Sequence, residues 1–161
     1  MKVIFLDIDG VLNNDLILKQ FRRLGCGAGA IGLEKLQLLQ KIVTVTNAQI
    51  VLSSDWRLAH VDPCGYKMVR ICLGMFGIRI VGRTPDLLLN VTGDRANEIQ
   101  AWLGSNQEKR GVTHFVILDD RTDAGLGFPD NFILTNDKEG LTEQQVEEAI
   151  QILTRPKIIK Q

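Results

Sequence analysis

Asp7 and Asp9 stand two residues apart, with Gly10 directly behind them. If the apolar stretch before them is extended, both carboxylates leave it on one face, and a turn at Gly10 bends the chain back over them. Like charges so close resist joint ionisation. A divalent cation between them, or a raised pKa on one of them, relieves the repulsion. A hard, oxygen-rich site of two or three carboxylates suits Mg²⁺. A carboxylate tempered by a metal can attack phosphorus to give an acyl phosphate, while the second handles the leaving-group proton. The same residues also read as a polar turn closing a strand, so the pair needs other groups beside it.

Such groups occur further along. Ser53 and Ser54 follow the apolar Ile50-Val51-Leu52; there a hydroxyl beside a backbone N–H grips a phosphate oxygen or caps a helix. The planar fork of Arg57 suits bidentate contact with phosphate, and equally a solvated surface. Arg95 opens a helical stretch, where a cation opposes the helix dipole at a cost of about 0.3–1 kcal/mol. A bound anion reverses that penalty; otherwise Arg95 is a surface residue. Asp119 and Asp120 close the apolar run 116–118, and Asp123 lies one turn on. Acids gathered at strand ends favour a metal site over a merely acidic loop.

The elements that must position these residues follow from hydrophobic periodicity. Residues 3–6, 50–52 and 115–118 are short continuous apolar runs, the pattern of strands buried on both faces, with 78–81 and 132–134 as two more. Between them, 33–43 has apolar positions at helical spacing, 66–76 ends at Gly77, and 95–103 suits a helix begun near Asp94. Thr142-Glu143-Gln144-Gln145 has the capping-box form ahead of a helix to about 153. Strands alternating with helices imply a Rossmann-like α/β fold, a three-layer α/β/α sandwich with a mostly parallel five-stranded sheet. Ligands then bind outside the carboxyl ends of the strands, near the point where strand order reverses. Asp7, Asp9, Ser53, Asp119 and Asp120 all fall on that rim.

A chain of 161 residues suits one domain over 1–161, and 45% hydrophobic against 24% charged residues is a globular balance. Nineteen basic and nineteen acidic residues give zero formal charge, so no global field favours nucleic acid or an anionic membrane, and anion binding must be local. Cys26, Cys64 and Cys72 lack metal-ligand spacing, and their odd number argues against a disulfide framework. With no targeting segment or membrane span visible, the expected location is the cytoplasm. Cys64, Cys72, Trp56 and Trp102 read as packing residues, and His60 and His114 have no ligand partner at suitable spacing.

In order, the motifs resemble the haloacid dehalogenase (HAD) superfamily: an apolar strand into Asp7-x-Asp9-Gly10, a strand into Ser53, Arg95 in the lysine or arginine slot, and a strand into Asp119-Asp120. Ser53-Ser54-Asp55-Trp56-Arg57, Thr84-Pro85, the stretch from Arg95 to Leu103 and Ile117-Leu118-Asp119-Asp120 resemble more narrowly the subgroup found in RNA-repair, or Swiss army knife, proteins. The resemblance implies a phosphatase with Asp7 as nucleophile and metal ligand. Asp9 becomes the general acid and base, its backbone carbonyl also on Mg²⁺. Ser53 becomes a phosphate donor and Arg95 its charge partner, with Ser54, Arg57 and Gly10 lining the substrate and Asp119 or Asp120 completing the metal site. One departure is visible, since the usual second acid would fall at Ala124, with Asp123 one residue early.

Neither inter-motif gap is long enough for a large cap domain. Residues 19–30, with Gly25, Gly27 and Gly29, are the one segment available to fold over the site. An open site implies, by the same resemblance, a phosphate on a large molecule: an RNA or DNA end or a phosphoprotein, with no obligate partner and no membrane. A receiver-like signalling module is the competing class. In receivers, however, the phosphoryl-accepting aspartate ends a later strand, whereas here the acidic pair follows the first.

Overall fold

The computed structural model describes residues 1–23, 30–58, 64–87 and 95–156. Five strands, β1 (Lys2–Leu6), β2 (Gln49–Leu52), β3 (Ile80–Arg83), β4 (His114–Asp119) and β5 (Phe132–Leu134), form one sheet in the order β3-β2-β1-β4-β5. Every pairing is parallel. The chain builds outward from β1 through β2 to β3, then crosses to the other side of β1 for β4 and β5. Strand order therefore reverses between β1 and β4, and a crevice opens at their carboxyl ends.

Side chains alternate across the sheet as a strand period of two requires. Ile4, Leu6, Ile50, Leu52, Val116 and Leu118 face one core, shared with α2 (Leu33–Thr46), α3 (Gly65–Met75) and α5 (Glu143–Thr154). Val3, Phe5, Val51 and Ile117 face a second core with Ile99, Trp102 and Leu103 of α4 (Arg95–Arg110). Burial on both faces is why the strands read as continuous apolar runs. Phe5 meets Trp102 edge to face at 5.4 Å, so Trp102 is a packing residue as expected.

The five strands and four main helices lie where periodicity places them, except that α4 runs on to Arg110 rather than ending at 103, and with two further differences. Strand β3 runs two residues later than 78–81 because its partner sets the register: Val51 pairs with Gly82 and Leu52 with Arg83. A side chain at Gly82 would press on the Trp102 indole, with Nε1 3.0 Å from its Cβ, so the glycine lets α4 close on the strand. The second difference is helix α1 (Asp15–Arg23), which overlaps the start of the segment 19–30. The Asn14 side chain accepts the Ile17 N–H at 2.9 Å and begins it; Gly25, Gly27 and Gly29 lie outside the described residues. Helix α5 has the complete capping box at Thr142 and Gln145.

Among the described residues, the chain between β1 and β2 holds α1 and α2 and no additional sheet, so no large cap domain stands there. No helix among them is long and apolar enough to cross a membrane. Cys64 is exposed rather than a packing residue. His114 sits at the opposite end of β4 from the crevice and contacts Thr113 and the Arg155 carbonyl. Cys26 and His60 lie outside the described residues.

Candidate active site at the sheet switch point

Asp7 follows β1 and Asp119 ends β4, and pairing of those neighbouring strands brings their carboxylates together. The Asp7 N–H donates to the Leu118 carbonyl at 3.0 Å, continuing the ladder one step past the strand. Asp7, Asp119 and Asp120 each present a carboxylate oxygen within 4.8 Å of the others. Asp7 is 5% exposed and Asp119 fully buried. Burial pushes the Asp119 carboxyl up to about 8, with the Asp7 charge adding to it and Arg95 opposing. Asp7 is raised to about 6, first by burial, against the pull of Arg95 and a hydrogen bond from Ser54. Asp120, half-buried, is also raised, chiefly by desolvation.

Gly10 makes this approach possible. Its φ is +65°, the left-handed region, and a side chain there would press on the Asp120 carboxylate, whose Cβ would lie 2.7 Å away. Asn13 pins the turn: its Oδ1 accepts the Gly10 N–H at 3.0 Å and its Nδ2 donates to Asp9 Oδ1 at 2.7 Å. The other Asp9 oxygen accepts the Trp56 indole N–H at 2.9 Å. The Asp9 carboxylate is therefore exposed and held apart from the cluster of Asp7, Asp119 and Asp120.

The second strand brings the serines. Ser53, whose N–H donates to the Leu6 carbonyl, is 1% exposed, and its hydroxyl has no partner among the described residues. Of the two roles that the sequence leaves open for Ser54, the cap is filled: its hydroxyl accepts the Trp56 N–H at the short turn Asp55–Arg57, and beside Asp7 it lowers that carboxyl's pKa.

Arg95 is 3% exposed, not a surface residue. Its guanidinium lies 3.5 Å from Asp119 Oδ2, 3.4 Å from Asp55 and 3.8 Å from Glu98. None of these is a tight hydrogen bond, and Arg95 Nε and Asp119 Oδ2 are both buried without one among the described residues. Asp123 relieves the dipole conflict: its Oδ2 accepts the Arg95 backbone N–H at 2.9 Å, placing a carboxylate at the start of α4. Arg121 grips Asp123 through two bonds of 2.9 Å and holds its pKa down against the upward push of burial.

Over residues 3–146 the chain matches the family described as HAD domain in Swiss Army Knife RNA repair proteins. The chain belongs to that family. No curated protein matches it.

The HAD domain thus gathers Asp7, Gly10, Ser53, Ser54, Arg95, Asp119 and Asp120 at one crevice, with the Asp9 carboxylate beside it. Arg57 stands differently. Expected as a phosphate contact or a solvated side chain, it is 2% exposed and neither. Its Nε donates to the Thr84 carbonyl at 3.0 Å, Nη1 to Ser54 O at 2.8 Å, and Nη2 to Pro85 O at 2.9 Å and Glu98 Oε1 at 2.6 Å. With Asp55 3.7 Å from Nη1, the donors of the fork are committed to holding the β2 and β3 loops together. Its partner Glu98, 3% exposed, stands within the Arg95-to-Leu103 motif, but the sequence assigns it no role. Asn13 has no role in the sequence reading, and Trp56, expected as a packing residue, packs against the core and also donates to Asp9. Four residues after Asp9, Asn13 is placed for a side chain to reach back, whereas nothing in the sequence joins Trp56 to Asp9.

A divalent cation fits this donor set. Three hard oxygen ligands converge, all three resist ionisation, and Asp119 Oδ2 lacks a hydrogen-bond donor among the described residues. The metal-free protein should therefore respond to pH in a defined direction. Both Asp7 and Asp119 titrate above the ordinary 3.8, so the folded chain holds protons that the unfolded chain releases. That stabilisation is complete below the unfolded pKa and is lost as pH rises through about 6 and then about 8. In EDTA, the melting temperature should fall between about pH 5.5 and pH 8.5, and Mg²⁺ should raise it more at the upper end. Thermal melts at both pH values, with and without Mg²⁺, check this; an Mg²⁺ shift that is larger at the acid end contradicts it.

Proposed function

We propose that this HAD domain is a Mg²⁺-dependent phosphomonoesterase in which Asp7 accepts the phosphoryl group and Asp9 acts as general acid and base. The carrying observation is the convergence of Asp7, Asp119 and Asp120 at the switch point beside a buried, loosely paired Arg95. In the first step an Asp7 oxygen bonds to phosphorus as the bond to the leaving oxygen breaks, and Asp9 gives that oxygen its proton. Asp9 then takes a proton from water, whose oxygen attacks phosphorus and frees Asp7 and inorganic phosphate. Ser53 Oγ donates to a phosphate oxygen, and Arg95 balances the phosphate charge.

Asp7, Asp120 and the backbone carbonyl of Asp9 are the groups to hold Mg²⁺. Asp119 joins them through Oδ2, the oxygen that accepts no hydrogen bond among the described residues, while its Oδ1 accepts the Arg121 N–H at 2.9 Å. Bound there, the cation would neutralise charge on the carboxylates and on the phosphate oxygens.

The family's description and the absence of a large cap among the described residues both support a phosphate at the end of a polynucleotide. The test is turnover of p-nitrophenyl phosphate and of a 3′-phosphorylated oligoribonucleotide, each with Mg²⁺ and with EDTA. A protein inert toward both, with Asp7→Asn indistinguishable from it, is no phosphatase of this kind. Preferential turnover of phosphopeptides would instead assign a protein substrate.

The indole bond to Asp9 yields a sharper expectation. Trp56→Phe keeps the ring and removes the donor that orients Asp9. For a phosphate ester of an aliphatic alcohol, which needs its leaving oxygen protonated, kcat should fall about 10-fold with little change in KM. p-Nitrophenol leaves readily as an anion and should show a smaller loss. Equal losses on the two substrates would mean that Trp56 does not act through Asp9.

A further inference from the structure

On the same rim, beyond Trp56, lies a group of cations that the phosphatase chemistry does not use. Tyr66 occupies the first turn of α3, and Arg70 stands one turn later on the same face. Arg83 is the last residue of β3, so it emerges at the carboxyl edge of the sheet, as Asp7 does beyond β1. The guanidinium carbons of Arg70 and Arg83 lie 5.8 and 5.2 Å from the centroid of the Tyr66 ring. Both arginines are exposed, Tyr66 is half-buried against the core, and neither arginine makes a salt bridge among the described residues.

The group is tied to the catalytic rim. Arg83 Nη1 donates to the backbone carbonyl of Arg57 at 3.3 Å, and the preceding residue, Trp56, holds Asp9. A guanidinium held on an aromatic face can still turn in-plane N–H donors to a phosphate, those of Arg83 other than the one given to Arg57, and its outer face can stack on a base. Two cations collected on one ring, in a chain of zero net charge, call for more than one anion. A single phosphorylated side chain would spend its charge at Asp7, leaving nothing for them. A polynucleotide carries a phosphate at every step.

We infer that Tyr66, Arg70 and Arg83 form a landing surface for a single-stranded polynucleotide, with the two guanidinia taking backbone phosphates upstream of the end that lies at Asp7. The direction of the strand rests on the phosphatase reading; the binding itself does not.

The test measures binding apart from catalysis. An RNA of about 12 nucleotides, fluorescein-labelled and without a terminal phosphate, is titrated with the Mg²⁺-loaded full chain across a salt series by fluorescence anisotropy. Replacing both arginines (R70A/R83A) should weaken binding at low salt about 10-fold or more. It should also flatten the slope of log affinity against log salt by about 1.4, the loss of two phosphate contacts on a single strand. R70K/R83K should keep the slope. Because Arg83 also bonds to Arg57, Arg70→Glu serves as a variant confined to the helix surface, and it should weaken binding as well. Unchanged affinity and slope in R70A/R83A and Arg70→Glu overturns the inference. So does a bis-phosphorylated peptide that displaces the RNA as well as unlabelled RNA does, since that assigns the surface to protein. Turnover of p-nitrophenyl phosphate by the wild type tests the phosphatase reading separately: its failure beside arginine-dependent RNA binding sinks that reading and leaves the surface standing.

Discussion

Asp7→Asn should lower phosphatase turnover by about 10⁴-fold or more and, in the same preparation, raise the melting temperature of the metal-free protein near pH 8. The two effects share a cause. Asp7 is buried beside Asp119; desolvation raises both carboxyls, the Asp7 charge pushes Asp119 up further, and Asp120 adds a small upward push on Asp7 against the pull of Arg95. An amide cannot serve as the nucleophile, yet it fills the same volume and removes one charge from the crowd. The stabilisation should shrink toward about pH 5.5, where protonation already relieves the repulsion, and the variant should gain less from Mg²⁺. Paired turnover assays and thermal melts at both pH values check this. A variant with near-normal turnover removes Asp7 from the nucleophile's role, and one that melts lower at alkaline pH contradicts the electrostatic account.

The second large effect concerns stability. Arg57→Ala should destabilise the fold by about 3–5 kcal/mol, because it leaves Glu98 buried without its 2.6 Å partner and the carbonyls of Ser54, Thr84 and Pro85 without donors. At about 2–4 °C per kcal/mol for a chain of this size, the melting temperature should drop by roughly 10 °C. Arg57→Lys should recover little, since an ammonium cannot reproduce a planar fork serving several acceptors. Denaturant melts measure the loss. The competing role, a direct phosphate contact, would show as a raised KM in a protein that melts like the wild type.

Arg57 also marks the limit of sequence reading. Standing three residues after Ser54 near a phosphate motif, it has the chemistry of an anion ligand, and local sequence offers no means of seeing Glu98 or the Thr84 and Pro85 carbonyls. Those partners arrive from α4 and from the end of β3, through packing of the two loops. Arg95 was open for the same reason. As a cation at a helix start it reads as a surface residue or a partner for an anion, and it is instead buried between Asp119, Asp55 and Glu98, with Asp123 answering the helix dipole. Asp123, out of step with the expected spacing, finds its use there.

What the sequence determined by itself is the part governed by local periodicity and chain order. Continuous apolar runs specify strands buried on both faces, their alternation with helices specifies a parallel sheet, and acids directly after such runs must lie at its carboxyl edge. Asp7, Ser53 and Asp119 must therefore share one rim. What only the tertiary structure decided is which side chains reach one another across that rim. The order β3-β2-β1-β4-β5 sets β4 beside β1 and brings Asp119 against Asp7, while loop packing turns Trp56 onto Asp9 and buries Arg57 among carbonyls. Ionisation, hydrogen bonding and charge pairing depend on distances of a few ångströms between residues remote in sequence, and such distances are set by the packing of the whole sheet and its helices.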